Sequence, residues 1–129
     1  MGAKYEDGDD TLVAAASFVG KQYFIAKKTG ATACDIASGA TTNLHGIIQE
    51  PVANGRPCRI RKRGKSLCVV DGNAGNIVVG DRLTSDANGK GVKTTTDGDV
   101  VIAIAGGAAT TDGAIIEVDM PGRFDTYVA

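Results

Sequence analysis

The chain has 129 residues, with 14 Lys and Arg against 15 Asp and Glu, 18 Gly and no Trp. This length fits one domain, and the near-balanced charge excludes a globally basic protein built for nucleic acid or membrane surfaces. Abundant Gly and few helix formers argue against a bundle and for strands joined by turns; no apolar run approaches the roughly 20 residues of a spanning helix.

Residues 1–16 are expected to form an extended N-terminal arm: polar and acidic through Asp7-Gly8-Asp9-Asp10, then a short apolar run. The start lacks an apolar segment and so does not resemble a secretory signal. Its Met-Gly opening fails the myristoylation pattern, because Glu6 stands where Ser or Thr is needed. Phe18-Val19 and residues 23–26 are expected to pair as strands around Gly20-Lys21-Gln22. Further strands are predicted near residues 34–36 and at 44–49, the latter ending before Pro51, which lacks a ladder donor. Asn54-Gly55 predicts a turn. After it the pattern alternates, with Cys58 and Ile60 on one face and Arg59, Arg61 and Arg63 on the other. Residues 63–66 are expected to turn the chain back into residues 67–70 as a hairpin. Short strands follow at residues 77–79, 82–84, 100–105 and 114–118, separated by Asn88-Gly89, Asp97-Gly98 and Asp112-Gly113. The expected organisation is an arm (1–16), a β domain (17–120) and a C-terminal tail (121–129).

A faint internal echo runs through this pattern. Residues 44–48, the Asn54-Gly55 turn, residues 58–60 and Gly64 resemble residues 102–105, the Asp112-Gly113 turn, residues 116–118 and Gly122. It is compatible with pseudo-symmetry of a compact barrel or with two similar hairpins arising by chance.

No constellation of residues carries chemistry. Gly64-Lys65-Ser66 has the tail of a phosphate-binding loop, but Arg59 occupies the position that needs the first Gly. Asp86-Ala87-Asn88-Gly89 lacks the distal Glu of a calcium loop. His45 is the one histidine, there is no Cys-x-x-Cys, and so neither a zinc site nor a nucleophile–base pair is supported; His45 reads as an ordinary strand-end residue. Cys34, Cys58 and Cys68 read as reduced, buried thiols, with a Cys58–Cys68 bridge across the expected hairpin left open. No enzymatic activity, cofactor or metal is expected.

Two features suggest contact surfaces. The stripe of Arg59, Arg61 and Arg63, flanked by Arg56, Lys62 and Lys65, reads as a solvated hairpin face, a surface for an acidic protein partner, or a nucleic-acid face. Nucleic acid is disfavoured because no aromatic lies between Ile25 and Arg123. The aromatics Tyr5, Phe18, Tyr23, Phe24, Phe124 and Tyr127 all sit near the two ends. Tyr5, Phe124 and Tyr127 are candidates for anchoring the ends on a neighbour, the alternative being that the ends pack back on their own domain.

Gly46-Ile47-Ile48-Gln49-Glu50, the Gly55 turn, the Gly64 hairpin, the run from Gly80-Asp81-Arg82-Leu83-Thr84 to Asn88-Gly89-Lys90, Ala103-Ile104-Ala105-Gly106, and Gly113-Ala114-Ile115-Ile116-Glu117-Val118 resemble, in that order, the small bacteriophage head decoration or capsid cement proteins. The resemblance implies an all-β fold, a small antiparallel β-barrel or β-clip-like sandwich, made in the bacterial cytoplasm and seated as a homotrimer on the outside of an icosahedral head. There it would bridge neighbouring major capsid proteins, with no direct contact to nucleic acid or membrane. It supplies no catalytic residue. The longer start and the basic hairpin depart from shorter members. Two other classes stand beside it. One is an appendage binding a host glycan or receptor; the other is a carrier domain, for which Lys65 lacks the usual flanking residues.

Overall fold

The computed structural model describes residues 8–40, 43–122 and 124–128. It contains ten strands: β1 (Asp9–Ala14), β2 (Ile25–Lys28), β3 (Ala33–Ile36), β4 (Leu44–Ile48), β5 (Pro57–Arg61), β6 (Arg63–Asp71), β7 (Arg82–Ser85), β8 (Gly91–Lys93), β9 (Ala103–Ala105) and β10 (Asp112–Pro121). The all-β expectation holds, but the strands close into two barrels, ordered β1-β3-β2-β4-β5 and β10-β6-β8-β7-β9. Each is mixed, with β1–β3 parallel in the first and β6–β8 parallel in the second. Closure removes the unpaired edges that would otherwise invite strand addition.

The barrels are two copies of one topology. Adding 56 to residue numbers in β1, 57 in β2 to β4 and 58 in β5 carries the first onto β6 to β10 with every strand pairing in register. Asp9↔Arg61 becomes Lys65↔Asp119, Ala14↔Cys34 becomes Val70↔Gly91, and Ala26↔Ile36 becomes Leu83↔Lys93. Ile25↔Ile47 becomes Arg82↔Ile104, and Ile47↔Arg61 becomes Ile104↔Asp119. The internal echo in the sequence therefore falls on equivalent strands of two barrels, not on halves of one.

Three expectations need correction. Asp9–Ala14, placed in the arm, is the first strand of the first barrel; its alternation buries Leu12 and Ala14 and exposes Thr11 and Val13. Residues 63–66 do not turn the chain. Lys62 alone separates β5 from β6, and β6 runs on into the second barrel to pair with β10. Phe18 is not in a strand. It lies in a turn-rich stretch and is fully buried in the first core, its N–H donating to the Val52 carbonyl at 2.8 Å.

One core fills the first barrel with Leu12, Ala14, Ala26, Cys34, Ile48, Cys58 and Ile60, capped by Phe18 and Phe24. The other fills the second with Cys68, Val70, Leu83, Ala103, Ala105, Ile116 and Val118. The cores interpenetrate: Ile25, Leu44 and Ile47 of the first barrel join the second cluster, and Val69 of the second joins the first. Leu and Ile side chains of this size contribute about 1.5–3 kcal/mol each on full burial, so the junction is a core in its own right.

Candidate functional site

The basic stripe is built on β5 and the start of β6. Alternation turns Cys58 and Ile60 inward and Arg59 and Arg61 outward, as the sequence predicts. The strand opposite supplies their partner. Asp9 faces Arg61 across the β1–β5 ladder, and its carboxylate accepts from Arg61 Nε at 2.7 Å and Nη2 at 3.2 Å. Arg59 Nε lies 3.1 Å from Oδ2 of the same carboxylate, the oxygen that Arg61 Nη2 also reaches, and Arg61 Nη1 also donates to the Lys65 carbonyl at 3.1 Å. Two members of the stripe are thus clamped to one acid, a geometry in which planar guanidinium forks are strong donors. Arg63 stands apart, exposed at the passage between the barrels, where Gly8, Asp9, Lys62, Arg63 and Gly122 line a small cleft of about 150 Å³.

The terminal aromatics separate as well. Phe124 is half-buried against the core of the second barrel. Residues 124–128 run back along that barrel: Val101 N–H donates to Asp125 O at 2.8 Å and Tyr127 N–H to Asp99 O at 2.7 Å. The Tyr127 ring lies beneath the Arg82 guanidinium, 6.0 Å to the centroid, within reach of a cation–π contact. Tyr5 lies outside the described residues.

A second surface, which sequence reasoning missed, is the groove at the barrel junction. Tyr23, Phe24, Pro51, Val69 and Ile115 line it, with Gln22 and Lys90 at its margin. Ile115 and Leu67 are exposed beside it on paired strands. The available signal was the doublet Ile115-Ile116, which places an apolar side chain on both faces of β10.

Titratable groups are arranged for structure. Burial pushes Cys34 and Cys68 up to about 12 and Cys58 to about 11, so all three are held as inert thiols. All three are unpaired; Cys58 and Cys68 sit in different cores, on strands that do not pair, which closes the question of a bridge. His45 donates from Nε2 to Asp10 Oδ2 at 2.9 Å. Burial nonetheless lowers its pKa, with the Asp10 hydrogen bond opposing. Among the described residues no group of three or more His, Cys, Asp or Glu is placed to hold a metal.

The family model for phage cement protein matches residues 7–120. The chain belongs to the phage cement protein family. This is a family of structural, non-enzymatic components of the phage capsid. No curated protein matches at the sequence level. Among solved structures, the N base of head fiber gp8.5 of bacteriophage phi29 shares the fold, with a TM-score of 0.57, 20% identity, and coverage of 91% of this chain and 96% of that one. Closed barrels supply rigid surfaces, and charged and apolar side chains decorate their outsides.

Proposed function

We propose that this cement protein binds the outer surface of an icosahedral phage head as a homotrimer, bridges neighbouring major capsid proteins and so stabilises the shell. Membership of the family over residues 7–120 carries the reading. Two physical features support it. Interlocked cores keep the two barrels in fixed relation, so contacts made by one are registered with contacts made by the other. Several weak contacts per trimer then add through multivalency, raising avidity by about 10²–10⁴ over a single site.

In this reading Arg63 and the exposed part of Arg59 face acidic shell surface, with Arg61 positioning the pair through Asp9. Tyr127, and the N-terminal segment bearing Tyr5, contact a capsid or cement neighbour. Phe124 anchors the tail on its own barrel. The test is co-sedimentation of purified protein with undecorated expanded heads, followed by heating of the decorated and bare particles. Saturable binding and a higher disruption temperature are expected. Failure to co-sediment at any salt concentration contradicts the proposal.

A further inference from the structure

The junction between the two barrels is a template, and each barrel carries the half of it that the other uses. Ile25 and Ile47 sit opposite in parity to Ala26 and Ile48, which fill the first barrel, so they point outward from β2 and β4. Both are nevertheless fully buried, because the second barrel covers them. The barrels meet here through Val69, whose N–H donates to the Tyr23 carbonyl at 2.9 Å, and Gly89, whose carbonyl accepts from Ile25 N–H at 2.7 Å, while the Ile25 and Ile47 side chains join the cluster of Cys68, Val70 and Leu83. Gln49 Nε2 adds a 3.0 Å bond to Ser66 Oγ across the same seam.

The duplication maps both halves onto open surface. Ile25 and Ile47 correspond to Arg82 and Ile104 on β7 and β9. Val69 corresponds to Val13, and Gly89 to Thr32, neighbours joined by the 2.7 Å bond from Val13 N–H to Thr32 O. Ile104 is 37% exposed and Val13 39%, and Arg82 and Thr32 are exposed too. The chain thus has one junction closed within itself and two unlike half-junctions left over. Val79, exposed beside the turn into β7, extends the apolar part of one of them.

We propose that the outer face of β7 and β9 docks the outer face of β1 and β3 of a second copy, repeating between molecules the junction that joins the barrels within one. This rests on the homotrimer reading and specifies its interface. Because the half-junctions differ, the contact is head-to-tail, which closes into a ring when the rotation per copy permits. The contact is looser than the internal seam: Val13 N–H, the counterpart of the Val69 N–H that crosses the seam, is already bonded to Thr32 O within the chain, and two side chains differ. Arg82 replaces Ile25, and Thr32 replaces Gly89, where an added Cβ would meet Ile36 Cγ2 at 2.5 Å. The counterpart of Ile36 is Lys93, whose flexible chain can yield to Thr32. Tyr127 over Arg82 places the tail at the margin of the contact.

The test is sedimentation of the full chain without capsids. The wild type is expected to self-associate, and Val13→Asp and Ile104→Asp each to weaken association by about a hundredfold. Mixing the two variants is expected to restore a one-to-one pair, since each retains one intact half. Circular dichroism establishes folding; should either variant unfold, Thr32→Arg and Arg82→Glu probe the same two faces through exposed side chains. A wild type that stays monomeric at roughly millimolar concentration overturns the trimer reading together with this one. A wild type that assembles, with variants that also assemble or that are not rescued by mixing, overturns the interface alone.

Discussion

Tyr23 holds a φ of 70°, where a side chain is strained, and is the sole residue other than Gly with positive φ among those described. Its repeat counterpart is Gly80, at φ 95°. The two make the same bonds: Tyr23 N–H to Ile48 O, and Gly80 N–H to Ala105 O. The second barrel therefore uses the residue the turn favours, while the first accepts strain of about 1 kcal/mol for a ring that packs against both cores. Gly80→Ala should cost about 1 kcal/mol, from backbone strain alone, because an added Cβ meets nothing within 4 Å. Gly46→Ala should cost more, about 3 kcal/mol, because the Cβ would meet the Arg61 carbonyl and Ile60 Cγ2 inside the first barrel. Urea unfolding of the pair reads the difference. His45 gives a pH dependence with a definite sign. Burial lowers its pKa in the fold, so the unfolded chain takes up the proton first. Its contribution to stability is intact above the ordinary His value of about 6.5 and is lost as pH falls through that value toward the folded one. Wild type should lose urea resistance as pH falls through about 6.5, and His45→Gln should flatten that part of the profile.

At the scale of strands, one ladder position shows how burial sets the weight of an ion pair. Asp9–Arg61 and Lys65–Asp119 are equivalent across β1–β5 and β6–β10, with the charges exchanged. The first is forked and mostly covered; the second is a single 3.4 Å contact with both side chains more than 60% exposed. Asp9→Ala should destabilise by about 2 kcal/mol, because Arg59 and Arg61 lose the carboxylate they share. Lys65→Ala should change stability by less than about 0.5 kcal/mol. Melting curves of the two variants test the contrast. The strands themselves were legible where Gly and Asx-Gly bracket an alternating run, as in β5 and β10, or where Pro51 ends one, as in β4. Local pattern failed where long-range pairing decides. Arg63-Gly64-Lys65-Ser66 has the residues of a hairpin tip, yet β6 is held extended by β10, far along the chain. The arginine stripe was visible as alternation, but its acid on β1 was not, since nothing in the sequence places Asp9 beside Arg61.

At the scale of the molecule, duplication explains why a chain of one-domain length yields two barrels. A five-stranded barrel this short cannot cover its own outer apolar face, and the second copy supplies the cover for Ile25 and Ile47. Sequence divergence between the copies hid this: Gly80 stands for Tyr23 and Arg82 for Ile25, so only the turn glycines and a few apolar positions echoed. Shared cores predict a single cooperative transition, with tyrosine fluorescence and far-ultraviolet circular dichroism coincident in urea; two separated transitions would show barrels that fold independently. The same rigidity underlies the proposed adhesion to a shell. An image reconstruction of undecorated heads saturated with this protein tests that claim most directly. Paired-barrel density on the outer surface is expected, each copy touching more than one capsid subunit. Bare heads, or density confined to a single subunit with no bridge, would contradict it.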